Sequence, residues 1–150
     1  MPWVVALVAI CFGLGVVYWL GRPMANFSGG IDPYARNVVL GNVQVSRASN
    51  FAGDQLTYVD GTIENRGNRT ITSLTLQALF ATESGDAPQT LQANVSLIRS
   101  REPHIETQPI SVAPLAAGQS KDFRLVFDNV SAAWNQQPPT LQTVDISTRP

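Results

Sequence analysis

Apolar and polar residues alternate with a period of two over most of the chain after residue 37. Half-buried β-strands produce this alternation, because successive side chains point to opposite faces of a sheet. The pattern therefore predicts an all-β domain over residues 37–150. The alternating apolar positions are Val43 and Val45; Val59, Gly61 and Ile63; Leu74, Leu76, Ala78 and Phe80; Leu91, Ala93, Val95 and Leu97; Phe123, Leu125 and Phe127; and Val144 and Ile146.

Turn-forming residues separate these runs, at residues 65–68, 84–86 and 114–118. A weaker run, Ile105 to Val112, is flanked or interrupted by Pro103 and Pro109, and proline in a strand favours an edge position. Short strands divided in this way predict an immunoglobulin-like antiparallel β-sandwich of about seven strands.

The start of the chain has a different pattern. From Trp3 to Leu20 no residue is charged, and a helix of this length spans roughly 27 Å, close to the hydrocarbon thickness of a bilayer. A basic start and an A-x-A-like cleavage site are both missing, which argues against a cleaved signal peptide. We therefore expect an uncleaved transmembrane helix over residues 1–21 and a Pro/Gly-rich linker over residues 22–36. The expected membrane-interface anchors are Trp3, Tyr18, Trp19 and Arg22.

Small side chains follow one stripe of this predicted helix. Ala6, Ala9 and Gly13 are spaced i, i+3 and i+7, and small residues allow another helix to approach closely. The stripe fits a packing face for a partner helix. It fits equally well with the general abundance of Gly and Ala in membrane helices.

Composition excludes several functional classes. Charged residues make up 14% of the chain and the net charge is −1, so nucleic-acid binding has no electrostatic basis. No glycine-rich phosphate loop precedes a predicted helix, which argues against nucleotide binding. Cys11 is the only cysteine and lies in the apolar N-terminal stretch, and His104 is the only histidine. We therefore expect no catalytic residue, no cofactor and no metal site, with His104 in a solvated charge cluster beside Glu102 and Glu106.

Three aromatic residues of the domain admit two interpretations. Phe51, Tyr58 and Trp134 are compatible with an exposed ligand-binding patch. Large aromatic side chains more often close the ends of a core, and this is the expectation for all three.

The strand and turn sequences resemble known bacterial modules. Gly61–Gly67 (GTIENRG), Leu74–Phe80 (LTLQALF) and Pro114–Ser120 (PLAAGQS) are similar to the corresponding motifs of FxLYD-type and CARDB-like sandwiches. With Ser46–Phe51 and Phe127–Val130, the chain resembles an uncharacterised family of helix-anchored bacterial proteins over residues 38–148. The resemblance implies an immunoglobulin-like fold, an inner-membrane location with the domain on the periplasmic side, and no catalytic residue.

Two functional hypotheses follow. In the first, the chain is a non-catalytic accessory subunit whose helix packs on a larger respiratory, photosynthetic or secretory membrane complex and whose sandwich braces it outside the cytoplasm. In the second, it is a free-standing, membrane-tethered module that binds a peptide, a glycan or an envelope protein.

Overall fold

The computed structural model describes residues 30–49 and 51–150, and residues 31–150 form one compact unit. This unit is all-β, as predicted. Its strands are β1 (Val38–Ser49), β2 (Gln55–Asn65), β3 (Thr70–Phe80), β4 (Gln89–Asn94), β5 (Ser96–Ser100), β6 (Glu106–Pro109), β7 (Ser120–Phe127) and β8 (Thr140–Arg149). A short 3₁₀ helix, Pro33–Asn37, precedes β1.

The strands form two antiparallel sheets. The larger sheet has the order β1-β2-β7-β5-β6, and the smaller one has the order β4-β3-β8. Inward-facing side chains from both sheets form a single apolar core, which confirms a β-sandwich. The Phe80 ring of the smaller sheet packs edge-on against Phe127 of the larger sheet, with ring centroids 5.3 Å apart.

The sandwich has eight strands where the sequence predicted about seven, because one predicted strand is split. The run Leu91 to Leu97 changes sheets at Val95, so β4 belongs to the smaller sheet and β5 to the larger. Val95 is 1% exposed, and its N–H donates to the Leu74 carbonyl at 2.9 Å. The alternation continues through the crossing because inward-facing residues meet the same core from either sheet. The weak run after Pro103 forms β6, at the predicted edge position.

The chain enters the domain through a polar cluster centred on Tyr34 and Asn65. Both side chains are buried, at 3% and 0% exposure. The Asn65 amide donates to the carbonyls of Arg69, Leu115 and Ala116 at 2.7–3.1 Å. A Cβ at Gly67 would overlap the Tyr34 ring, so this turn requires glycine. We call this end of the sandwich the entry end.

Because of this cluster, the folded domain begins earlier in the chain than the sequence predicted. The sequence placed the end of the linker at residue 36, but the folded unit begins at Ile31. The reason is tertiary: the 3₁₀ helix carries Tyr34 into the core, and Asp32 caps it by accepting from the Tyr34 N–H at 2.8 Å. This anchoring side chain lies nine residues before Val43, the first position of the apolar alternation in the sequence.

The predicted transmembrane helix over residues 1–21 lies outside the described residues. Among the residues that are described, no helix is long and apolar enough to cross a membrane.

Candidate functional site

The predicted site residues of the N-terminal segment lie outside the part of the chain that the structure describes. They are Trp3, Ala6, Ala9, Gly13, Tyr18, Trp19 and Arg22. The packing-face and membrane-anchor predictions therefore remain predictions.

The β1–β2 hairpin projects at the end of the sandwich opposite to the entry end. The last pair between β2 and β7 is Thr57 with Phe127, whereas β1 and β2 continue to pair as far as Ser49 with Gln55. Beyond Thr57, the hairpin is therefore a two-stranded ribbon without a third strand on the β7 side. We call this the hairpin end, and at about 3.3 Å per residue it lies roughly 35–40 Å from the start of β1.

Phe51 lies in the turn of this hairpin and is 114% exposed relative to its reference state, so it buries nothing within the described domain. The adjacent residues Ala52 and Gly53 are small, and Gly53 has a positive φ of 90°, a conformation that favours glycine. A fully exposed phenylalanine on a projecting turn is accessible to another molecule, and aromatic side chains are frequent in binding hot spots.

A partly exposed apolar row continues from this end along the outer face of the larger sheet. By register, Ser46 of β1, Tyr58 of β2 and Val126 of β7 lie side by side on that face. Val126 is 48% exposed, and Leu56 precedes Tyr58 by two residues on the same side of β2. The outer face therefore presents apolar surface next to the hairpin end.

Beyond Tyr58 the same face becomes ionic. Arg124 donates to both carboxylate oxygens of Asp60, at 2.6 and 2.7 Å, and its guanidinium lies 4.5 Å from the centre of the Tyr58 ring. The hydrogen bond to Asp60 is the main reason that the pKa of Arg124 is raised, and burial partly opposes the shift. This pair fixes the orientation of the Tyr58 ring, so it shapes the apolar row.

The inner side of the hairpin is polar. Arg47 lies over the Trp134 ring, 4.7 Å from its centre, and with Ala48, Ser49 and Gln55 it lines a shallow, open depression. No carboxylate lies within ion-pair distance of Arg47 among residues 30–49 and 51–150. The Trp134 indole N–H donates to the Gln137 carbonyl at 2.9 Å, so Trp134 itself is satisfied inside the fold.

The three aromatic residues of the sequence analysis therefore have three different environments. Trp134 is 2% exposed and packs edge-on against Phe80, as expected for a residue that closes the core. Tyr58 lies half-buried beneath Arg124. For Phe51 the expectation of a core position is wrong. The signal that could have indicated its exposure is its position in the turn just after the strand Val38–Ser49.

His104 lies exposed in the turn between β5 and β6. Within residues 30–49 and 51–150, no three His, Cys, Asp or Glu side chains are close enough to hold a metal ion. Every buried side-chain N or O atom of the described domain has a hydrogen-bond partner. The hairpin end, with the exposed Phe51 and the apolar residues Tyr58 and Val126 nearby, is the candidate site.

The arrangement is a β-sandwich domain with a projecting hairpin that carries an exposed aromatic residue. The family comparison assigns it further: the chain belongs to the DUF2393 family of proteins of unknown function, whose model matches residues 38–144. No curated protein and no solved structure matches the chain significantly. The match covers the strands from the start of β1 into β8, and it contains both the hairpin end and Asn65.

Proposed function

We propose that this protein is a non-catalytic, membrane-anchored accessory subunit whose sandwich docks through its hairpin end on a larger membrane protein complex. The observation that carries the proposal is the complete exposure of Phe51 on a ribbon that projects beyond β7. Exposed aromatic side chains beside half-buried apolar ones are typical of protein-binding hot spots. The nearby row of Tyr58 and Val126 extends the contact surface.

Anchoring is the second element of the proposal. The uncharged stretch from Trp3 to Leu20 acts as a single transmembrane helix, and Ala6, Ala9 and Gly13 pack against a helix of the host complex. The chain then enters the sandwich at the end opposite to Phe51. In this arrangement the fold is a spacer that holds the contact residue roughly 35–40 Å from the membrane side of the domain.

The finer identity of the fold is also part of the proposal. We assign the sandwich to the immunoglobulin-like class that FxLYD-type and CARDB-like modules share, and we place it on the periplasmic side of the inner membrane. Its support is the set of antiparallel strands distributed over two sheets, together with the motifs at residues 61–67 and 114–120.

Purification from native membranes tests the proposal. The tagged full-length chain is solubilised in mild detergent, and its co-migrating proteins are quantified by mass spectrometry. Phe51→Ser should lower recovery of the partner at least about tenfold, the effect of losing a residue worth more than 1.4 kcal/mol. Val112→Ser is the matched control, because Val112 is also an exposed apolar residue, at 71%, but lies outside the hairpin. Migration of the unmodified protein as a lone monomer would overturn the proposal.

A second candidate function rests on the edge position of β1. This strand lies at the border of the larger sheet, and an exposed edge can accept an extended peptide as an additional strand. In that case the chain would be a tethered binding module for a peptide or an envelope protein. Replacing residues 1–21 with an unrelated membrane helix distinguishes the two: the accessory subunit loses its complex, whereas the binding module retains its partner.

A further inference from the structure

Four arginines surround the point where the chain enters the sandwich. They are Arg36 in the 3₁₀ helix, Arg66 and Arg69 in the turn before β3, and Arg149 at the end of β8. All four are exposed. They come from three separate stretches of the sequence, so no single basic motif reveals them.

The contacts around Tyr34 bring these arginines together. The Arg69 guanidinium lies 4.7 Å from the centre of the Tyr34 ring and donates to Thr148 Oγ1 at 3.2 Å. Arg149 is paired with Thr70, the residue after Arg69, in the register of β3 and β8. The Arg66 N–H donates to the Asn37 carbonyl at 2.8 Å, which places it beside the 3₁₀ helix that contains Arg36.

Three of the four have no acidic partner. Glu64 pairs with Arg66 at 3.0 Å. Within residues 30–49 and 51–150, no carboxylate lies within 4.0 Å of a nitrogen of Arg36, Arg69 or Arg149. Ile31 is 52% exposed and lies two residues before the 3₁₀ helix that contains Arg36. Cationic groups around an exposed apolar side chain are typical of surfaces that rest on lipid headgroups.

The hairpin end carries the opposite charge. Arg47 is its basic residue, and four acidic residues lie in the hairpin turn, in the β3–β4 loop and directly after β7: Asp54, Glu83, Asp86 and Asp128. At the entry end the four arginines outnumber the two acidic residues beside them, Asp32 and Glu64. The domain is therefore polarised along its long axis, although the whole chain has a net charge of only −1. An anionic surface would attract the entry end and repel the hairpin end.

We propose that Arg36, Arg69 and Arg149 dock the entry end on the anionic headgroups of the membrane that holds the N-terminal helix, and thereby orient the domain with Phe51 outward. The inference rests on the proposed membrane anchor, which would hold the entry end near the membrane surface. Lipid is the occupant that the connectivity favours, because the apolar stretch 3–20 precedes this end in the chain. An acidic face of a partner protein is the competing outcome.

Energy transfer to labelled lipid measures this orientation. The full-length chain carrying Cys11→Ser is reconstituted in nanodiscs that contain an acceptor lipid. A donor dye is attached either at Asn68→Cys, near the entry end, or at Gln55→Cys, at the hairpin end. In phosphatidylglycerol-containing discs, transfer should be higher from position 68 and lower from position 55 than in phosphatidylcholine discs. Both differences should disappear in 0.5 M salt, because the Debye length falls below about 5 Å.

The triple variant Arg36→Gln, Arg69→Gln and Arg149→Gln should abolish both differences. Each arginine near an anionic surface changes the ratio of docked to undocked domains about fivefold, so the triple variant should lower it roughly 100-fold. The matched control makes the same change in net charge at the other end, with Ser49→Asp, Ala87→Glu and Thr90→Glu, and should retain the lipid dependence. All three control positions are exposed.

Two results overturn the inference. The first is equal transfer in neutral and anionic discs, and the second is a lipid dependence that survives in the triple arginine variant. If the triple variant instead loses its protein partner while the lipids have no effect, the arginines bind an acidic protein face. Flotation of the unlabelled full chain with neutral vesicles reports the anchor separately. Failure to float would therefore count against the proposed function, and not against lipid recognition by the arginines.

Discussion

The Tyr34 hydroxyl donates to the side-chain oxygen of Asn65 at 2.9 Å, and this contact attaches the segment before β1 to the entry end of the sandwich. The hydroxyl also accepts from the Arg69 N–H at 2.9 Å, and Asn65 Oδ1 accepts from the Gly67 N–H at 3.1 Å. One buried pair therefore holds the 3₁₀ helix and the β2–β3 turn. The pair therefore also helps to position the four arginines around the entry end.

Removing the Asn65 amide should be strongly destabilising. Asn65→Ala removes this donor from the carbonyls of Leu115 and Ala116, the first of them buried, and we expect a loss of about 2–4 kcal/mol in the free energy of unfolding. Urea denaturation of the full-length chain in mild detergent, followed by far-UV circular dichroism, measures it. Asn94→Ala is the control, since Asn94 is exposed and should change stability by less than about 0.5 kcal/mol. Equal effects of the two substitutions would contradict the role assigned to Asn65.

Adding a methyl group at Gly67 should displace Tyr34. The new Cβ would overlap the phenol ring, so Gly67→Ala should cost about 1–3 kcal/mol, the usual range for overpacking. Gly30→Ala is the comparison, because nothing lies within 4 Å of a Cβ there. The same denaturation experiment applies. An unchanged transition midpoint for Gly67→Ala would show that the Tyr34 contact is not maintained in solution.

The Asp60–Arg124 pair should be worth more than an ordinary surface ion pair. The two side chains are only 18% and 14% exposed, and the pairing is bidentate. A double-mutant cycle with Asp60→Asn and Arg124→Gln should give a coupling energy of about 1–2 kcal/mol. The exposed Glu64–Arg66 pair, tested with Glu64→Gln and Arg66→Gln, should show no measurable coupling. Similar couplings in the two cycles would refute this ranking.

Phe51 should matter for binding and not for folding. Phe51→Ser removes no contact with the described core, so its free energy of unfolding should stay within about 0.5 kcal/mol of the parent protein. Phe80→Ala, by contrast, empties a fully buried site that contacts Phe127 and Trp134, and should cost about 3–5 kcal/mol. Thermal or urea unfolding separates these outcomes. A large loss of stability in Phe51→Ser would show that this side chain is buried in the folded domain.

The strands were predictable because their signal is local. Val59, Gly61 and Ile63 alternate with polar residues in the sequence, and all three are buried in β2. The crossing at Val95 was not predictable, since a strand that changes sheets keeps the same inward period. Tyr34 was missed for a related reason: a single aromatic residue in a Pro/Gly-rich segment has no periodicity, and its hydrogen-bond partner is 31 residues away.

The candidate sites depended even more on tertiary structure. The exposure of Phe51 results from the length of the β1–β2 ribbon relative to β7. That length depends on the register of β2 and β7, whose paired residues are 56 to 70 positions apart in sequence. Likewise, Arg36, Arg69 and Arg149 are scattered along the chain and become neighbours only when β3 pairs with β8 around the 3₁₀ helix.

The amino-acid sequence by itself determined the all-β class, the positions of most strands and turns, and the uncharged N-terminal stretch, because alternation, turn residues and hydropathy act over a few residues at a time. Only the tertiary structure decided where the domain begins, which aromatic residue remains exposed and which arginines share a surface. Those properties depend on pairings between distant segments, and burial of Tyr34 and exposure of Phe51 are settled only when both sheets have closed on one core.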